Sequence, residues 1–140
     1  VGINEVNGVL AREGLITTRL NRLLFDEEKR ALGIENYFSP KEIGILLEKM
    51  ERGELISEKA SRNMLEILKN QQVRHKIPYL LPEDMEVAHK TGEDDGITHD
   101  VGIVYGEKPF VFCFASNETD VIGAEEALRK IASWCLELKD

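Results

Sequence analysis

The sequence predicts an α+β fold: a helical amino-terminal region, then three antiparallel strands in a meander, then a carboxy-terminal helix packed on the sheet. Three observations predict it. Apolar residues recur at helical spacing up to about residue 70. From Met85 to Ala115 the period shortens to that of strands, broken by two turn-rich runs. From Ile122 to Leu136 the helical period returns.

The elements follow in order. Val6, Val9 and Leu10 share one helix face, with Asn4 as the cap and Gly14 as the stop. Leu15 to Phe38 fits neither period and reads as a partly structured loop with one helical turn near its middle. Ser39-Pro40-Lys41-Glu42 is a helix start. Ser39 caps the free amides, Pro40 at the first position loses no hydrogen bond, and Glu42 is placed to close a capping box. The stripe Ile43, Leu46, Leu47, Met50 then runs to Gly53. Ser57 starts a further helix to about Asn70, and Gln71–Lys76 reads as a third short segment ended by Ile77-Pro78. Met85–Lys90 is the first strand, followed by a turn over Thr91–Gly96. Thr98–Tyr105 is the second, and Gly106–Pro109 turns into Phe110–Ala115, apolar enough to be covered on both faces. The division is a helical part over 1–84, with an irregular segment at about 17–38, and strands plus terminal helix over 85–140.

Composition excludes several classes. The 140 residues carry 18 Lys+Arg against 26 Asp+Glu, a net charge of −8, so no basic surface exists to neutralise a phosphate backbone. No apolar run approaches the roughly 18 residues of a spanning helix. Cys113 and Cys135 lack disulfide-framework or zinc spacing and read as two buried thiols. His75 and His89 have no partner at metal-ligand spacing, no cofactor motif is present, and Trp134 reads as a packing residue.

The candidate site is His89-Lys90-Thr91-Gly92 at a strand end. An ammonium and a hydroxyl facing one cleft can hold a substrate carboxylate, and the glycine admits a ligand close to the backbone. His99-Asp100, across the hairpin, reads either as a site-edge imidazole oriented by a carboxylate or as two ordinary strand residues.

Val87-Ala88-His89-Lys90-Thr91-Gly92, then Gly96-Ile97-Thr98-His99-Asp100-Val101-Gly102-Ile103-Val104-Tyr105, then an apolar strand and a last helix, resembles the carboxy-terminal half of the class A β-lactamase-like and penicillin-binding serine hydrolases. Lys90-Thr91-Gly92 stands in the place of the K-T-G motif. Thr18-Arg19-Leu20-Asn21-Arg22 resembles the entrance to the family's omega loop, and Gly33–Pro40 its exit. The resemblance implies a β-lactamase-like fold, a β-lactam or related acyl substrate, and Lys90, Thr91 and Gly92 as its binding residues.

The departures are as specific. The nucleophile motif S-x-x-K and the S-D-N motif are both missing, so no catalytic residue is assigned within the chain. Val1 begins about where the second motif would end, and the chain reads as the carboxy-terminal portion of a larger hydrolase that should not acylate by itself. The position of the family's deacylating Glu is Leu24, with Asp26 and Glu27 nearby at a possible site edge. The family sheet has two further strands, so the expected partner along the Phe110–Ala115 edge is the missing amino-terminal half or a second copy. The alternative is a non-catalytic sensor or assembly module on the same scaffold. Compartment is left open, since family members are often exported and cytoplasmic ones are possible.

Overall fold

A computed structural model describes residues 1–139 as five α-helices, one 3-10 turn and a three-stranded antiparallel sheet. The chain divides into two compact units, residues 1–43 and the part from Gly44 on.

In the first unit, α1 spans Ile3–Arg12 and α2 spans Glu27–Ala31. The cap of α1 is Gly2, with no side-chain hydrogen bond. Asn4 does not cap, because it already lies inside the first turn. Gly14 follows the last turn, as its position predicts. The irregular segment is closed by bonds between its two ends. Arg19 and Tyr37 form a backbone bridge, Asn36 Oδ1 accepts the amides of Asn21 and Arg22, and Arg22 pairs with Glu35 at 2.7 Å. A loop pinned at its neck in this way behaves as an Ω-loop. Asp26 caps α2 by accepting the Lys29 amide, and Glu27 is exposed in the first turn.

Helix α3 spans Pro40–Glu51, and the Ser39 hydroxyl accepts the Glu42 amide at 3.4 Å. The capping box is not completed. Glu42 turns its carboxylate outward, accepting the amides of Ile16, Thr17 and Thr18 at 2.7–3.0 Å and the Thr18 hydroxyl at 2.7 Å. Three convergent amides and a hydroxyl outcompete one helix-end amide. Burial raises the Glu42 pKa, but these four hydrogen bonds outweigh it and hold the group at about 2.

In the second unit, α4 covers Glu58–Lys69, with Ser57 accepting the Ala60 amide as its cap. No helix forms over residues 71–76. The 3-10 turn η1 covers Ile77–Leu80 instead, because Pro78 early in a turn pre-sets its backbone rather than ending it. The sheet order is β1-β2-β3, with β1 Val87–Asp94, β2 Ile97–Val104 and β3 Phe110–Phe114. The first strand is longer than its sequence predicts. The turn falls at Asp95-Gly96, where Gly96 takes φ +65°, so Lys90, Thr91 and Gly92 lie within the strand and not at its end. An Asp-Gly pair flanked by alternating residues is a hairpin signal in its own right.

Helix α5 spans Val121–Lys139. Ile77 of η1, Leu81 just after it, and Val87, Val104 and Phe112 of the sheet meet Leu128, Ala132 and Leu136 of α5 in one apolar core. Strand alternation sends Ala88, Val101, Ile103, Val111 and Cys113 to the opposite face, where Gly44 of α3 faces Val111 and Cys113 and α4 runs along β1. Phe112 is buried, and its strand neighbours are half-buried. Both cysteines are free and half-buried rather than fully enclosed. Trp134 is 58% exposed, so it is not the packing residue its helix suggests. No helix among the described residues is long and apolar enough to cross a membrane.

Candidate functional site

The β1–β2 ladder fixes where each candidate side chain goes. Lys90 pairs with Val101, Thr91 with Asp100 and Gly92 with His99. Successive strand residues face opposite sides, so Lys90 and Thr91 do not share one face. They meet at the strand's rim. β1 is an edge strand. Beyond the strand ends, the Tyr105 amide donates to Glu86 O at 3.1 Å, and bonded and non-bonded pairs then alternate along the ladder. Ala88, Lys90 and Gly92 therefore bond to β2, while the N–H and C=O groups of His89, Thr91 and Glu93 point to the open side. Lys90 is exposed, and its Nζ folds to this rim and donates to Thr91 O. The rim thus carries an ammonium and outward amides, with the Thr91 side chain on the sheet face beside it, a set suited to an anionic carbonyl compound.

Of the two readings of His99-Asp100, the structure has them on opposite faces of β2 and not paired with each other, because strand neighbours point apart. Asp100 is fully buried and grips His89 instead. Its two carboxylate oxygens lie 2.9 and 3.1 Å from His89 Nδ1, and Oδ2 also accepts the Ile77 amide at 3.0 Å. This pair joins β1, β2 and η1 immediately before the K-T-G residues. Gly102, the register partner of His89, makes the approach possible: a Cβ there would lie 2.9 Å from His89 Cα.

His99 sits on the other face, with its ring against Gly92. Its Nδ1 lies 3.2 Å from the Ser116 amide, which donates to it in one tautomer, and 3.1 Å from Thr98 O, to which it donates in the other. Burial lowers the His99 pKa, and the charge of Lys76 acts in the same direction against the Thr98 hydrogen bond. Asp26 and Glu27 belong to the first unit, the one capping α2 and the other facing solvent.

Sequence reasoning missed Lys76. It is fully buried, with Nζ at 3.0 Å from Glu93 Oε1 and 3.3 Å from both Gly92 O and His99 O. The Lys76 hydrogen bond and charge hold the Glu93 carboxylate below its usual range. No signal in the sequence marks it, since a lysine ahead of Ile-Pro reads as solvated. Among the described residues, no group of three acidic, histidine or cysteine side chains could hold a metal ion.

The model of the beta-lactamase enzyme family matches residues 1–138. The chain belongs to the beta-lactamase enzyme family. A beta-lactamase from Sphaerobacter thermophilus is similar in structure, with a TM-score of 0.83 and 26% identity over 99% of this chain and 54% of that one. A beta-lactamase from Chitinophaga pinensis shares 22% identity at a TM-score of 0.80, covering 99% of this chain and 56% of its own. PBP-A, at 23% identity and a TM-score of 0.81, covers 98% of this chain and 51% of its own. Among curated proteins, none matches. The chain thus spans about half the length of the family structures it resembles.

Proposed function

We propose that this chain is the substrate-binding half of a serine hydrolase that takes β-lactams or related acyl compounds, with the nucleophilic Ser supplied by residues outside these 140. The carrying observation is the position of Lys90-Thr91-Gly92 on the free rim of β1, with outward amides at Thr91 and Glu93. The Lys90 ammonium attracts the substrate carboxylate and the Thr91 hydroxyl donates to it. The Gly92-Glu93 segment lets the acyl group lie along the backbone. By this reading the chain alone binds but does not acylate, because no serine in it has the S-x-x-K setting that would make its hydroxyl a nucleophile.

In the complete protein the acyl group should persist. Leu24 stands where a deacylating carboxylate is expected, and it is 75% exposed with no proton-accepting group of its own. PBP-A, which is similar in structure at a TM-score of 0.80 and 23% identity, is acylated by penicillin G, and its acyl-enzyme complex is seen even in a leucine-to-glutamate mutant. We therefore favour a penicillin-binding role over rapid β-lactam hydrolysis. Titrating the chain with hydrolysed benzylpenicillin by NMR tests the binding claim. The Thr91 and Glu93 amides should shift, and Lys90→Ala should abolish the shift. Unchanged titration by Lys90→Ala would overturn it.

A second reading is a non-catalytic assembly module. It is favoured by the other rim of the sheet, where β3 is an edge strand beside a groove of about 550 Å³ lined by Glu48, Arg52, Phe110, Val111 and Cys135. Either the remaining half of the fold or a second copy of the chain would cover that rim.

A further inference from the structure

Lys76 makes no use of solvent. Its ammonium has three donors and three close acceptors: Glu93 Oε1, Gly92 O and His99 O. Two of these are main-chain carbonyls of one register pair, at the end of the K-T-G tripeptide. A buried ammonium is costly unless every donor is matched, so the acceptors are held as firmly as the lysine is.

The surroundings hold the lysine in turn. Glu125 of α5 lies 3.8 Å from Nζ, accepts from the Thr98 hydroxyl at 3.1 Å, and pairs with Arg129 at 2.8 Å. Arg129 Nε donates to His75 O at 2.6 Å, fixing the residue before Lys76. The next residue, Ile77, gives its amide to Asp100, which holds His89. Consecutive residues 76 and 77 thus reach both ends of the tripeptide, His89 before it and Gly92-Glu93 after it. None of these groups lies on the open rim of β1.

We propose that Lys76 is a positioning residue: by fixing Gly92 O and the Glu93 side chain it sets the direction in which the Thr91 and Glu93 amides leave the rim of β1. The inference rests on the reading of that rim as the carboxylate-binding edge. A neutral side chain of similar length would leave both carbonyls in the ladder but free the Glu93 end of the strand to rotate.

The test uses the 140-residue chain, labelled with ¹⁵N, and hydrolysed benzylpenicillin as the probe. Lys76→Met should weaken probe binding by about tenfold or more while the circular dichroism spectrum is kept. Lys76→Arg should restore most of it. Leu136→Ala, a core truncation in α5, should lower the melting temperature without moving affinity. Binding by Lys76→Met within about twofold of wild type overturns the proposal.

Amide hydrogen exchange separates this claim from the one beneath it. If wild type shows no probe shifts, the binding reading fails, and the positioning claim is still judged by exchange. Lys76→Met should speed exchange at Gly92 and His99, the amides bonded to each other's carbonyls, far more than at Gly102 and Phe112. Equal effects at both places overturn it. Should Lys76→Met not fold, the wild-type ammonium decides. Its protons should exchange slowly enough to be observed at neutral pH, and their absence would count against the proposal.

Discussion

Asp100 holds His89 across the first two strands, with both carboxylate oxygens within 3.1 Å of one ring nitrogen and both side chains out of solvent. A buried pair of this kind is poor evidence of added stability, but losing one partner strands the other. Asp100→Ala should cost about 3–5 kcal/mol by urea denaturation. The cycle with His89→Ala should show a coupling of at least about 1 kcal/mol, whereas additive losses would mean that the pair does not act as a unit.

Glu42 makes stability depend on acid. Its folded pKa of about 2 lies below the ordinary 4.5, so its contribution is complete above the unfolded value and lost as pH falls through the folded one. Wild type should therefore exceed Glu42→Gln in stability at pH 6, and the gap should shrink steadily from about pH 4.5 towards 2. An equal gap at both ends of that range, measured by urea unfolding, would remove the carboxylate from the account.

The open rim of β3 should be occupied in solution. Among the described residues, Phe110 to Phe114 present an apolar strand with no strand on the far side, the arrangement that invites pairing. Light scattering after size exclusion should report dimers or larger species that resolve when the amino-terminal half of the fold is added. A monodisperse, well-folded monomer would sink the idea.

Leu24 sets the expected lifetime of the acyl group. In the protein completed with its nucleophile, Leu24→Glu should speed loss of bound penicillin by about 100-fold, the lower end of what a placed general base provides. Stopped-time mass spectrometry of the acylated protein gives the rate. An unchanged lifetime would show that residue 24 does not reach the hydrolytic water.

Local signals carried most of the fold. Ser57 and Ser39-Pro40 mark their helix starts, and the change of period at residue 85 marks the sheet. The errors came where a distant group decides. Glu42 satisfies the pattern of a capping box, yet three amides 24–26 residues away take its carboxylate. The glycine at 92 suggests a turn too early, because the turn residues are Asp95-Gly96. Centring the hairpin there pairs Thr91 with Asp100 and puts His89 diagonal to that carboxylate, so the pair was within reach of the sequence. Lys76 was not, since its partners come from β1, β2 and α5 at once. The K-T-G residues themselves were legible as a motif, but their rim geometry needed the register.

The central claim is that this chain binds the substrate but does not carry the nucleophile. Incubation with a fluorescent penicillin, alone and with the amino-terminal half added, followed by denaturing electrophoresis, tests it most directly. The account predicts no label on this chain in either case and label on the added half. Covalent label on this chain would contradict it.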